Sequence, residues 1–329
     1  MDPLKVYQNI EIDGIDFGER TNRKNSQFYN RGKWDNFINP LLPLDCSGMT
    51  FVELGCNAGL FLKLALEKGF KNIIGIEKSR KACKIGEKYR KKYGLNYKII
   101  NSSICKDFNF DTIPVTDLIL LANFHYSLKL DDLLFLLDKL KNKVCYCLVV
   151  SVNDEYEWIP DKEIDGVRKY FSDWKETKAI VNFPPINDLC YRNMYSLLFK
   201  SSLEKKNISD IEIVHSHIAS KKMYLNSVEV LAHYINNSIE FDIEDTDYYK
   251  FLFETKKHKW SKDTILQHIN SKIALMKDIK LNGLKEPIII LKDGFLYDGL
   301  HRLKMMKELG YKNITVRIHE DNNLLHEQS

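Results

Sequence analysis

The chain has 329 residues, of which 44% are hydrophobic and 29% are charged. These proportions are close to the averages for soluble globular proteins, so they exclude a chain that is mainly disordered. At roughly 150 residues per domain, the length predicts about two domains. The net charge of +4 is small for a protein that binds DNA mainly through its phosphates.

Cysteine usage and hydropathy predict the compartment. No apolar run approaches the ~20 residues needed to cross a bilayer. The first residues, MDPLKVYQNIEIDG, lack the basic-then-apolar pattern of a signal peptide. The seven cysteines are odd in number and none forms a Cys-x-x-Cys pair. We therefore expect a reduced, cytoplasmic protein with no membrane span and no metal site.

The predicted elements begin with a short helix at 33–38, which Pro40 and Pro43 end. From residue 50 the pattern alternates between apolar strands and amphipathic helices. The predicted strands are 50–54, 72–77, 97–100, 117–122 and 145–152, and the predicted helices are 58–68, 78–92 and 131–141. This alternation predicts a parallel sheet with helices on both faces. Residues 178–183 and 193–200 are predicted to complete the sheet as an antiparallel pair.

The alternation fades after residue 153, and the polar stretch 201–210 predicts a domain boundary. We therefore predict an α/β domain at residues 1–205 and a smaller α+β domain at 206–329. In the second domain the pattern predicts helices at 261–282 and 300–309 and strands at 287–291, 295–297 and 313–318. Gly310 is expected to form a left-handed cap after the last helix.

The turn Glu53-Leu54-Gly55-Cys56-Asn57-Ala58-Gly59 joins the first apolar strand to a helix. Gly55 has no Cβ, which permits a ligand to approach the backbone closely. The next strand ends in Glu77, where a carboxylate can bind both hydroxyls of an adenosine ribose. Asn57 replaces the second glycine of the dinucleotide fingerprint, and Glu53 favours a ligand with a cationic amino group. The pattern therefore favours S-adenosylmethionine (SAM) over NAD.

This stretch resembles motifs I and II of class I SAM-dependent methyltransferases, and residues 50–200 resemble their seven-stranded Rossmann-like fold. Upstream, YQNIEIDG at 7–14, GER at 18–20 and Trp34 resemble the N-terminal segment of methyltransferases related to the tRNA wobble-uridine carboxymethylating group. The resemblance implies a cofactor site at the loop and at the ends of the neighbouring strands. The implied cofactor residues are Glu53, Gly55, Cys56, Asn57, Gly59, Glu77, Ser102, Ser103, Ile104 and Asn123.

Methyl transfer requires an aligned nucleophile and, for a hydroxyl acceptor, a general base. His125 follows the fourth strand, at the sheet edge where ligands bind, and is the candidate catalytic base; a packed structural histidine is the alternative. Asp154, Glu155 and Arg192 are candidate substrate residues, and an exposed salt bridge is the alternative for Arg192. The sequence lacks the Asn/Asp-Pro-Pro-Tyr signature of amino-methylating DNA enzymes and the Pro-Cys nucleophile of cytosine-C5 enzymes.

A second turn, Asp298-Gly299-Leu300-His301-Arg302, lies between a strand and a helix. Helix amides, a histidine and an arginine at one turn suit a phosphate; a helix cap with a surface ion pair is the alternative. Residues 260–320 resemble the ParB/sulfiredoxin-like fold, in which such a turn occurs in nucleotide-binding members, some of them small-molecule kinases. The resemblance implies that Asp298, Gly299, His301 and Arg302 bind ATP or ADP with Mg²⁺. The Gly-Glu-Arg-Arg of the DNA-partitioning branch and the cysteine of sulfiredoxins are absent.

These features together predict a methyltransferase that acts on oxygen of a small polar metabolite, a sugar or a glycan end. Its second domain is predicted to bind nucleotide or phosphate and to act as a kinase in a bifunctional variant. Two other classes of function stay open. One is a tRNA or other nucleic-acid methyltransferase that uses the basic helix 78–92, whose cations otherwise form a solvated face. The other is a non-enzymatic regulator that senses SAM and nucleotide.

Overall fold

The chain, represented by a computed structural model, divides into two compact units, Met1–Leu203 and Glu204–Ser329. The structure describes residues 6, 8, 10–17, 31–105, 107–124, 128–151, 164–181, 195–213 and 219–319. Within these ranges, no helix combines the length and the apolar character that a bilayer span requires.

The first unit is built on a seven-stranded sheet, preceded by a short hairpin. Its strands are β1 (Glu11–Ile12), β2 (Ile15–Asp16), β3 (Thr50–Leu54), β4 (Asn72–Glu77), β5 (Lys98–Asn101), β6 (Thr116–Ala122), β7 (Val144–Ser151), β8 (Lys175–Val181) and β9 (Tyr195–Lys200). The sheet has the order β5-β4-β3-β6-β7-β9-β8. Strands β3 to β7 pair in parallel, whereas β9 is antiparallel to both β7 and β8. The mostly parallel sheet and its antiparallel pair are confirmed.

Helices cover both faces of this sheet. They are α1 (Leu60–Lys68), α2 (Arg80–Lys92), α3 (Leu130–Leu140) and α4 (Ile164–Tyr170). Along β3 the side chains alternate, so that Phe51 packs with Trp34 and α1 while Val52 packs on the side of α3 and α4. The continuous apolar runs in the sequence are explained by this burial on both faces.

The N-terminal hairpin is held against α2. Asp13 and Gly14 form its turn with φ of +53° and +75°, which is the backbone that a tight two-residue hairpin requires. Ile10 and Ile12 are buried in one apolar cluster with Ala82, Ile85 and Tyr89. The Asp-Gly pair between two isoleucines is a hairpin signal that the sequence analysis missed.

In its described residues, the second unit combines a four-stranded sheet with four α-helices. The strands are β10 (Glu204–Asn207), β11 (Ile288–Leu291), β12 (Leu296–Asp298) and β13 (Asn313–His319), and the helices are α5 (Ala219–Asn236), α6 (Asp247–Lys256), α7 (Lys262–Asn282) and α8 (Leu300–Glu308). The sheet order is β10-β13-β11-β12, with β11 and β13 parallel. Gly310 follows α8 with φ of +76°, which is the left-handed conformation that the sequence predicts.

The helix predicted at residues 33–38 has a different form. Trp34–Ile38 is a π-helical turn, and Asn39–Leu41 continues it as a 3-10 helix. Pro40 therefore does not end the helical segment, as predicted, but lies in the first turn of its 3-10 part. Proline fits there because its fixed φ is helical and its missing N–H has no partner in a first turn.

Candidate functional site

Successive strands are added on one side of β3 and then, from β6, on its other side, and the predicted cofactor loop begins at the end of β3. β4 and β5 lie on one side of β3, whereas β6 and β7 lie on the other. In open parallel sheets, the loops that leave the two central strands diverge and open a crevice at the carboxyl ends of the strands. The loop after β3 and the residues Asn123 and Phe124 after β6 border this crevice.

The loop after β3 is held in left-handed conformations. Gly55, Asn57 and Gly59 have φ of +75°, +50° and +86°. The amides of Gly55 and Cys56 both donate to the Ile76 carbonyl, at 2.8 and 3.1 Å, which ties the loop to the end of β4. Asparagine tolerates a positive φ better than most side chains, so Asn57 keeps the loop shape without the second glycine of the dinucleotide pattern.

Glu77 holds the loop and the start of α2 through its carboxylate. Its Oε2 accepts from the Asn57 amide at 2.9 Å, and its Oε1 accepts from the Ser79 amide at 2.7 Å. Two ionised oxygens offer about four acceptor positions, so each retains capacity for one more donor. The carboxylate is thus fixed in orientation and can still accept the hydroxyls of a ribose.

Glu53 lies beneath the loop, with only 1% of its surface exposed. Its Oε2 has no hydrogen-bond partner within the described part of the chain. Burial raises the pKa of Glu53 well above its ordinary value, and the nearby charge of Glu77 raises it further. A buried polar atom without a partner is rare, because desolvation then goes uncompensated. An amino group bound at the loop would supply the missing donor, so these residues fit the SAM that the sequence predicts.

Phe124 lies against Gly55 across the crevice. A Cβ placed on Gly55 would be 2.7 Å from Cδ2 of the Phe124 ring, which is closer than carbon atoms pack. Asn123, which precedes it, has φ of +55° and donates its amide to the Val150 carbonyl at 2.8 Å. The glycine is therefore required by a neighbouring side chain as well as by the left-handed backbone.

The end of β5 borders the other side of Glu77. The Asn101 side chain donates to the Glu77 carbonyl at 2.9 Å, and the Ser102 amide donates to the same carbonyl at 3.0 Å. Ser102, Ser103 and Ile104 follow directly and are half-buried or exposed at this edge. His125, Asp154, Glu155 and Arg192 lie outside the described residues.

Arg302 of the second turn is engaged within its own unit. Its Nη2 donates to Asp298 in an ion pair, and its Nη1 donates to the Pro287 carbonyl at 2.9 Å. Asp298 accordingly pairs with Arg302. Gly299 directly precedes α8 with φ of +105° and, having no side chain, cannot cap it. In this arrangement the arginine fork stabilises the turn, and the first amides of α8 have no side-chain cap.

His301 lies in a cluster of aromatic and histidine side chains. Its Nε2 is 2.9 Å from the hydroxyl of Tyr248, which is fully buried, and that hydroxyl is also 3.5 Å from Nε2 of His268. Burial, together with the nearby charges of Lys272 and His268, lowers the pKa of His301 to about 4. His301 is therefore neutral at pH 7 and hydrogen-bonded to a tyrosine.

About half of the chain is similar to solved structures. No family model and no curated protein matches the chain. Among solved structures, the PH0226 protein from Pyrococcus horikoshii OT3 is 12% identical over 52% of this chain and 91% of its own, with a TM-score of 0.43. A SAM-dependent methyltransferase from Aquifex aeolicus is 18% identical over 51% of this chain and 92% of its own, with a TM-score of 0.37. Magnesium protoporphyrin IX methyltransferase from Synechocystis PCC 6803, solved with bound SAM, is 12% identical over 48% of this chain and 72% of its own, with a TM-score of 0.37.

The first unit has an α/β Rossmann-like fold. Two residues of its site were missed by the sequence analysis as parts of the loop environment. The Phe124 ring lies against Gly55, and Gln8 accepts from the Leu60 amide at the end of the loop. Phe124 precedes the candidate base and Gln8 lies in the segment YQNIEIDG, but the sequence spacing predicts neither contact. Both residues lie far from the loop along the chain, so no local sequence pattern indicates that they contact it.

Proposed function

We propose that the protein is a SAM-dependent methyltransferase. The observation that carries this proposal is the pair of acids at one left-handed loop: Glu53, buried with an oxygen that lacks a partner, and Glu77, fixed by two backbone amides. A cationic amino acid joined to a ribose carries a donor for each acid. The half of SAM that resembles methionine would lie against Gly55, Cys56, Asn57 and Gly59, its ribose would bind Glu77, and its adenine would border Ser102, Ser103 and Ile104.

When bound, SAM supplies an electrophilic methyl group on a sulfonium. The residues of this chain would hold it and exclude water, so that an acceptor can approach in line. Phe124 and Asn123 lie on the acceptor side of the loop, at the end of β6. We propose His125, two residues after Asn123, as the base that removes a proton from a hydroxyl acceptor, and Asp154, Glu155 and Arg192 as substrate residues.

The substrate we propose is a small polar metabolite, a sugar or a glycan end that is methylated on oxygen. Incubating the protein with labelled SAM and fractionated cell extract tests this, with S-adenosylhomocysteine and the labelled product followed by mass spectrometry. Label in a small polar fraction supports the proposal. Label only in RNA, or no S-adenosylhomocysteine with any fraction, contradicts it.

A nucleic-acid acceptor is the second candidate, and the surface of α2 favours it. Six cations on or next to this helix have no ion-pair partner in the part of the chain that the structure describes: Lys78, Arg80, Lys81, Lys84, Lys88 and Lys91. They begin directly after Glu77, beside the cofactor loop. If they bind RNA phosphates, the affinity for tRNA falls steeply between 50 and 200 mM salt, by roughly 10³-fold or more for six or more contacts. If the protein does not bind tRNA, or binds it with an affinity that does not depend on salt, the nucleic-acid acceptor is refuted and the small-molecule acceptor is retained.

For the second unit we propose a ParB-like site that binds ATP or ADP with Mg²⁺, at the turn of Asp298, Gly299, His301 and Arg302. The uncapped amides at the start of α8 favour an anion there. Calorimetric titration of the full chain with ATP, ADP and CTP, with and without Mg²⁺, tests it. A charge-assisted hydrogen bond contributes ~1.5–3 kcal/mol, so Arg302→Ala should weaken binding roughly ten- to a hundredfold. No binding by the wild type, or equal binding by the variant, refutes it.

A further inference from the structure

The N-terminal strap, which we define as Val6, Gln8 and residues 10–17, contacts the cofactor loop and the start of α1 through one buried residue, Gln8. Gln8 is 4% exposed, and its side-chain Oε1 accepts from the Leu60 amide at 2.8 Å. Its own backbone amide donates to Oδ1 of Asn57 at 3.2 Å. We infer that Gln8 is a positioning residue that fixes the first turn of α1 and thereby the cofactor loop, an inference that rests on the proposed function.

The start of α1 needs an acceptor that the loop itself does not contain. The first amides of a helix have no intrahelical partner and are usually capped by a Ser, Thr, Asp or Asn side chain just before the helix. Here the residue in that position is Gly59, which has no side chain. Gln8 supplies the acceptor from a distant part of the chain, and the loop keeps the glycine that its φ of +86° requires.

The second contact of the strap fixes the side chain of Asn57. This residue already donates its amide to Glu77 at 2.9 Å, and its Oδ1 accepts from the Gln8 amide. Two hydrogen bonds in opposite directions hold a non-glycine residue in a left-handed conformation. A continuous set of contacts thus runs from the strap through Asn57 to the carboxylate that we propose for the ribose.

The strap is attached to the fold independently of Gln8. Val6, Ile10 and Ile12 are buried in the apolar cluster with α2. At the turn of the hairpin, Asp13 pairs with Lys92 at 2.7 Å, and at its open end the Val6 amide donates to the Phe17 carbonyl at 2.7 Å. Replacing the Gln8 side chain should therefore leave the strap in place and remove only its bond to Leu60.

Calorimetric titration with SAM tests whether Gln8 positions the cofactor loop or whether the strap only adds stability to the fold. Gln8→Met keeps the length of the side chain and removes the acceptor, and we expect it to raise the Kd for SAM about tenfold. Gln8→Glu keeps an acceptor and should restore the affinity to within about twofold. Asp13→Asn breaks the ion pair at the turn of the hairpin and should bind SAM as the wild type does.

Hydrogen exchange at the Leu60 amide gives a second readout that needs no cofactor. We expect a protected amide in the wild type and in Gln8→Glu, and at least tenfold faster exchange in Gln8→Met. Unchanged SAM affinity together with unchanged exchange in Gln8→Met overturns the inference. A wild type that shows the expected exchange pattern but binds no SAM overturns the proposed function instead. If Gln8→Met and Asp13→Asn lose SAM affinity equally, the strap as a whole stabilises the fold and Gln8 is not a positioning residue, which also overturns the inference.

Discussion

Substitution of Gly55 by alanine separates backbone strain from close approach, because the chain offers a matched control. Gly55 and Gly48 both have φ of +75°. A Cβ on Gly48 has nothing within 4 Å, whereas a Cβ on Gly55 lies 2.7 Å from the Phe124 ring. Both variants therefore carry the same backbone cost, and only Gly55→Ala also forces the ring to move.

The expected costs follow from these two observations. A left-handed alanine costs roughly 1–2 kcal/mol, which is the whole effect expected for Gly48→Ala. Overpacking adds roughly 1–3 kcal/mol at Gly55, so Gly55→Ala should lower the free energy of unfolding by about 2–5 kcal/mol. Replacing Phe124 by alanine in the Gly55→Ala background should remove most of the difference, because the ring is then absent.

Urea denaturation measures both variants, and SAM titration under native conditions measures their function. We expect Gly48→Ala to bind SAM normally and Gly55→Ala to bind it at least tenfold more weakly. Equal destabilisation by the two alanines would refute the close approach of Phe124 to the loop. Normal SAM binding by Gly55→Ala would refute the role of this loop in the site.

Three further predictions concern titratable and charged groups. Because burial raises the pKa of Glu53, its carboxyl group keeps a proton in the native state that it releases in the unfolded chain. The free energy of unfolding should therefore fall as pH rises above the ordinary pKa of a glutamate. Glu53→Gln should reduce this pH dependence, as measured by urea denaturation at a series of pH values. The pH dependence from His301 has the opposite direction, because its pKa is lowered to about 4 and the unfolded chain takes up the proton first as pH falls. Hydrogen exchange in α8 should show on the order of 3 kcal/mol of stability lost between pH 6.5 and 4, and no such loss in His301→Gln. Arg302→Lys replaces a planar fork, whose Nη1 and Nη2 reach two acceptors, by a single ammonium that does not match that geometry. Thermal unfolding should therefore show a loss of about 1–2 kcal/mol, and an unchanged midpoint would contradict the bridging role.

The sheet of the first unit was predictable because each buried strand is a continuous apolar run. β3 and β4 have the predicted bounds, since Gly55 and Ser79 follow them as turn and cap signals. The loop could also be predicted, because a left-handed turn restricts the residues that fit. In the second unit, α7 and α8 were predicted close to their observed bounds, and Gly310 has the left-handed conformation expected after α8.

Contacts between distant segments were not predictable in the same way. Gln8 caps a helix 52 residues away, and nothing in the local pattern of either segment requires it. The engagement of Arg302 by Asp298 depends on side-chain geometry that a motif does not specify. The short helix α4 and the helices α5 and α6 lacked a sequence signal strong enough to predict, whereas the hairpin of β1 and β2 had one in Asp13 and Gly14.

We propose that the loop after β3, with Glu53 and Glu77, binds SAM. Calorimetric titration of the full chain with SAM, S-adenosylhomocysteine and NAD tests it most directly, with Glu77→Gln as the variant and Glu87→Gln, a surface partner of Arg90, as its control. We expect SAM and S-adenosylhomocysteine to bind and NAD not to bind. Each hydrogen bond to a charged group contributes ~1.5–3 kcal/mol, so Glu77→Gln should weaken SAM roughly ten- to a hundredfold and Glu87→Gln should leave it unchanged. Tighter binding of NAD than of SAM, or equal SAM affinity in Glu77→Gln and the wild type, would contradict the account.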